Sequence, residues 1–104
     1  MQNLGSLEET ILLIILAMDD DAYGFSVSEA YEQHTGKSIS ISAVHTVMSR
    51  LETKGLISSE MGGETAERGG RRKRIFKATP QGVAVIEEIK ASRQKLWGLI
   101  PGLG

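Results

Sequence analysis

Six of the twelve Lys and Arg residues fall within residues 68–77, as Arg68, Arg71, Arg72, Lys73, Arg74 and Lys77, with Gly69 and Gly70 among them. Cationic side chains on a glycine-containing loop can follow a row of phosphates with little steric constraint, so polyanion binding is the chemistry this cluster offers. On charge alone, a solvated hairpin is the plainer alternative. A second group, Ser42, Ala43, His45, Thr46, Ser49 and Arg50, lies on or beside the polar face of a helical stretch. Small hydroxyls, an imidazole and a guanidinium presented in this way can reach base edges in a DNA major groove. Two of these residues have other readings: His45 as plain surface, and Arg50, which flanks the apolar side, as the partner of a nearby acid.

Other chemistries lack their residues. There is no cysteine, which removes disulfides, thiol nucleophiles and Cys-ligated metals together. Asp19-x-Asp21-x-Tyr23-Gly24 begins like a calcium loop, but its fifth position is Tyr23 and its twelfth is Ala30, where a bidentate Glu is needed. The glycines near residue 70 fit neither G-x-G-x-x-G nor a phosphate loop ending in G-K-[ST]. His34 and His45 belong to different predicted helices, and no nucleophile, base and orienter come together. No enzyme, cofactor or metal site is expected.

The elements that must position the two groups are legible from caps and periodicity. Ser6 with Glu9 reads as a capping box opening a first helix that ends near Met18, where residues 19–21 are all Asp. Leu7, Ile11, Ile14, Ile15 and Met18 share one face of it, while Leu12, Leu13 and Leu16 add a second apolar side. A helix apolar all round must be buried all round, which in a small domain points to a partner protomer. Tyr23-Gly24-Phe25 leads into a second helix stopped by Gly36. After a brief extended stretch at residues 39–41, Ser40 caps a third helix that runs to Lys54 and stops at Gly55. Val44, Val47, Met48 and Leu51 form its buried stripe.

Residues 56–60 and 72–78 read as two strands of a long hairpin. Thr79-Pro80 then opens a last helix running to about Trp97. In and just beyond it, Ile86, Ile89, Arg93, Leu96 and Ile100 repeat at spacings of 3, 4, 3 and 4, the narrow seam of helix–helix packing. Two heptads are too few for a free coiled coil, so the seam packs on the first helix or on a symmetry mate. Leu12, Leu16, Ile86, Ile89, Leu96 and Ile100 are the expected dimer contacts. Trp97, the single tryptophan, is either an interface anchor or part of an inter-subunit pocket for a flat apolar effector.

The 104 residues, 40% hydrophobic and 24% charged, make one domain, with a core modest enough that self-association would help. The longest apolar run is residues 11–18, under half of the ~20 residues a membrane span needs. The first ten residues lack a cationic signal region and carry Glu8 and Glu9, so a cytoplasmic, nucleoid-associated protein is expected. The net charge of −1 hides a segregation. Residues 1–40 hold seven acids and one base, whereas residues 41–80 hold eight bases and four acids. Such asymmetry suits a surface that meets a polyanion.

Helix, helix, short strand, helix, hairpin, helix is the order of a winged helix-turn-helix. The expected fold class is therefore mainly α (α+β), with residues 1–79 as the DNA-binding unit and residues 80–104 as a dimerisation helix and tail. A winged helix that binds protein instead is the alternative. From about Leu7 to Gly82 the chain also resembles the PadR family of winged-helix transcriptional regulators, in bacteria or archaea. The landmarks are Ala22-Tyr23-Gly24-Phe25, Ser40 at the start of the third helix, Arg50-Leu51-Glu52 followed by Gly55-Leu56-Ile57, Gly69-Gly70-Arg71-Arg72 in the wing, and Thr79. The resemblance implies a homodimeric repressor of double-stranded DNA that uses the first and last helices for much of its dimer contact. The family's usual Tyr-Pro pair is replaced by His45-Thr46 and its Pro-Gly-Thr by Ile41-Ser42-Ala43, so its operator preference does not carry over.

Overall fold

The computed structural model describes residues 4–64 and 72–103. Four helices, α1 (Ser6–Met18), α2 (Gly24–Thr35), α3 (Ile41–Thr53) and α4 (Pro80–Gly98), surround an antiparallel hairpin of β1 (Ile57–Glu64) and β2 (Arg72–Ala78), with a 3-10 turn at Asp19–Asp21 after α1. This is the expected winged-helix order. Residues 39–41 form no strand, although Ile39 packs on the core and its carbonyl accepts the Ser28 hydroxyl at 2.7 Å.

Capping explains most boundaries. The Ser40 hydroxyl accepts the Ala43 N–H at 3.1 Å and the Thr79 hydroxyl accepts the Gly82 N–H at 3.1 Å, each satisfying one orphan donor of a helix start. Gly36 ends α2 in the left-handed region, at φ 74°. The start of α1 differs from expectation by one residue. Gly5 is the cap and Glu8, not Glu9, reaches back to accept its N–H at 3.0 Å. This leaves Glu9 free to meet Arg93 of α4 at 2.7 Å. The 3-10 turn begins at Asp19, whose φ of 56° is tolerated by a short polar side chain.

The core is continuous. Ile11, Leu12 and Ile15 of α1, Val27 of α2, Val44, Met48 and Leu51 of α3, and Leu56, Ile57 and Phe76 of the hairpin are all buried. The hairpin pairs Ile57 with Ala78 and Ser59 with Phe76, and the register shifts between Met61 and Glu64, so β1 runs four residues beyond its predicted end. β2 is also tied to the loop before α2, where the Ala22 carbonyl accepts the Phe76 N–H at 2.8 Å. The root of α4 is clamped to the α3–β1 turn. Thr79 donates its N–H to Leu56 and its hydroxyl to Gly55, and a side chain at Gly82 would collide with the Leu56 carbonyl. Beyond Ile89, every described residue of α4 and the tail is exposed.

Candidate nucleic-acid interface

The apolar stripe of α3 faces the core, so the opposite side of the helix is turned outward. Ser42, His45, Thr46, Ser49 and Arg50 are all exposed there, and Ala43 is half-buried. The Thr46 hydroxyl donates to the Ser42 carbonyl at 3.1 Å, which leaves its oxygen as an outward acceptor. The side chains of Ser49 and Arg50 make no hydrogen bond or ion pair among the described residues, and Arg50 acts on a nearby acid only through its charge, which helps to lower the Glu8 pKa. His45 is less free. Its ring lies over Gly24, where an added Cβ would come within 2.5 Å of Nε2, and it meets Phe76 edge-on at 6.4 Å.

The hairpin does not present all its bases outward. Arg68 and Arg71 lie outside the described residues, as does the side chain of Arg72. Lys73, expected to meet phosphates, is instead committed to its own chain. Its ammonium lies 4.0 Å from the centre of the Tyr23 ring and 3.9 Å from Asp21, and its side chain is 18% exposed. Strand alternation puts Lys77 on the same face as Lys73, and Lys77 pairs with Asp20 at 2.6 Å. That contact raises the Lys77 pKa, first by the hydrogen bond and then by the charge of Asp20. The acidic turn thus neutralises the hairpin root, and segregated charges along the sequence partly cancel in space. Arg74 points to the other face, is exposed, and donates to the Ser59 hydroxyl at 3.0 Å.

The expected dimer contacts divide. Leu12 is 0% exposed, sealed in the core of its own chain, and so has no surface to offer a partner; the reason is that α1 turns this side, not Leu13, toward α2 and α3. Leu16 is half-buried, and Ile86 and Ile89 are half-buried against the core. Leu96 and Ile100 are exposed, as are Leu99 and Leu103, which the 3, 4, 3, 4 seam did not include. Trp97 is 54% exposed and lines a groove of about 280 Å³ between α1 and α4 with Leu13, Ile86, Ile89 and Arg93. At the other end of α1, Glu8 binds Lys54 at 2.8 Å. That hydrogen bond, with the one from Gly5, holds its carboxyl below the usual range. Among the described residues, no three side chains are grouped to hold a metal ion and no helix is long and apolar enough to cross a membrane.

A family model described as the transcriptional regulator PadR-like family matches residues 11–88. No curated protein matches the chain. Among solved structures, a transcriptional regulator from Clostridium thermocellum is 28% identical, with a TM-score of 0.64 over 85% of this chain and 82% of that one. A PadR-like transcriptional regulator from Bacillus cereus is 23% identical, with a TM-score of 0.71 over 86% of this chain and 82% of that one. PadR of Bacillus subtilis, solved in complex with operator DNA, is 15% identical, with a TM-score of 0.67 over 83% of this chain and 47% of that one. At the latter two identities the likeness is one of fold.

Proposed function

The chain belongs to the PadR-like family of transcriptional regulators, and from that premise we propose that it represses transcription by binding a palindromic operator in double-stranded DNA as a two-fold homodimer. Members of this family are regulators and not enzymes. The observation that carries the reading is the outer face of α3, where exposed Ser42, Thr46, Ser49 and Arg50 stand opposite a fully buried stripe. A helix anchored on one side with small donors and acceptors on the other suits a major groove. The complex of Bacillus subtilis PadR with operator DNA supports the same use of this fold.

In this reading residues 1–79 bind DNA and residues 80–104 carry the contact between protomers. Two α3 helices then lie ~34–36 Å apart on one face of the duplex. The wing bases follow the flanking backbone, which positions the protein without specifying sequence. The site of action is the nucleoid of a bacterial or archaeal cell.

Selection of genomic fragments with the purified protein, followed by titration at several salt concentrations, tests this. A dimer that neutralises about eight phosphates gives a slope of log affinity against log salt of about −7. Thr46→Ala with Ser49→Ala relaxes preference at a few base pairs, each good contact being worth about 1–3 kcal/mol, while nonspecific binding survives. A flat salt dependence with no enriched site would instead indicate a winged helix that binds protein.

A further inference from the structure

Glu52 is out of place on two counts. It lies in the last turn of α3, where the helix dipole disfavours a negative charge. At 100° per residue it also falls on the same side of the helix as His45 and Ser49, the side read above as facing a polyanion. What offsets these costs is a chain of two hydrogen bonds. The Ser59 hydroxyl donates to Glu52 Oε2 at 2.8 Å, and Arg74 Nη1 donates to the Ser59 oxygen at 3.0 Å. One residue of α3, one of β1 and one of β2 are thereby linked. Because Met61 faces Arg74 and Ser59 faces Phe76, Arg74 reaches Ser59 along the diagonal of the hairpin, a contact available to a long side chain.

We propose that Glu52 and Ser59 are positioning residues that, through Arg74, hold the hairpin at a fixed angle to α3, so that helix and wing meet DNA with one set separation. The inference rests on the DNA-binding reading above. Without the strap, what joins the hairpin to α3 is its root and the His45–Phe76 contact, and a wing held by fewer contacts loses orientation before it loses charge. Neither Glu52 nor Ser59 is required to touch DNA. Arg74 serves the wing first through Ser59.

The sign of one substitution separates this from simple electrostatics. Removing a carboxylate beside a polyanion should tighten binding to every duplex, whereas cutting the strap should weaken binding to the operator. The expected result for Glu52→Ala, which removes the acceptor together with the charge, and for Ser59→Ala, is operator affinity reduced about 3- to 10-fold, the scale of one charge-assisted hydrogen bond in an exposed setting, with the salt slope unchanged. The double variant is no weaker than either single one, because both cut the same chain. Ser59→Thr, which keeps the hydroxyl on a residue suited to a strand, restores wild-type affinity. In the DNA-free protein, amide order parameters over residues 58–61 and 74–76 fall in Ser59→Ala and recover in Ser59→Thr. Tighter or unchanged operator binding by Glu52→Ala, additive single effects, or unaltered order parameters would each overturn the strap. If the wild-type protein bound no DNA, the DNA-binding reading would fail, and the order parameters alone would decide whether the strap exists.

Discussion

At residue scale, Gly24 and His45 form one unit. Gly24 opens α2 under the His45 ring, and a methyl group there would push the imidazole off Phe76. Since His45 is exposed and can swing outward, Gly24→Ala should cost about 1 kcal/mol, the scale of a lost edge-to-face contact, and should not unfold the chain. With His45→Ala already present, the same change should be neutral or slightly stabilising, because Ala is the better helix former and nothing remains to collide. A urea-denaturation cycle over the four proteins measures this coupling. Additive effects would show that the two residues do not touch. The sequence marked His45 as a donor candidate, yet its contacts with Gly24 and Phe76 join three separate elements and have no local signature.

At element scale, α1 is stapled at adjacent positions, Glu8 to Lys54 at the end of α3 and Glu9 to Arg93 of α4. The Glu8 carboxyl is held low by Lys54 and by the Gly5 N–H. A group whose folded pKa is depressed stabilises the fold above its unfolded value, about 4.3 for Glu, and the contribution is lost as pH falls through the folded value. The stability gap between wild type and Glu8→Gln should therefore be full at pH 6 and should close below about pH 4, as read by thermal or urea denaturation. A gap independent of pH would mean that packing alone is at stake. The elements themselves were largely legible. Ser40, Thr79-Pro80, Gly36 and the α3 stripe each mark a boundary or a buried face through local physics. The first cap differs by one residue because Ser6 with Glu9 fits the hydroxyl capping pattern whereas Gly5 has no side chain to mark it, and in the fold Glu8 serves Gly5 and Lys54 while Glu9 meets Arg93. The intrachain contacts of Lys73 were not legible for a similar reason. Its partners Tyr23 and Asp21 lie about fifty residues away in sequence, and only the packing of the hairpin beside the 3-10 turn brings them together.

At the scale of the whole molecule, the question is what covers the end of α4. Helical periodicity showed two apolar sides on α1 but could not say which one the chain itself would bury; Leu12 went inward and Leu13 stayed exposed beside the α4 groove. Leu96, Trp97, Leu99, Ile100 and Leu103 continue that exposed surface along one end of the chain. Exposed apolar residues in this number suit the proposed self-association, in which a two-fold contact would bury the same residues from both copies. The proposed dimer is best tested where the substitution cannot harm the monomer. Ile89 packs on the core, so a charge there would confound dissociation with unfolding. Leu96 is 60% exposed, so Leu96→Glu with Ile100→Glu should leave helix content intact. The expected result is a folded monomer by sedimentation, with operator affinity falling toward the nonspecific level although every residue on the α3 face is unchanged, because one half-site cannot supply the contacts of two. A wild-type protein that sediments as a monomer at micromolar concentration, and binds its operator fully as a single subunit, would defeat this. So would a double variant that remains a dimer, since the contact would then lie on another face.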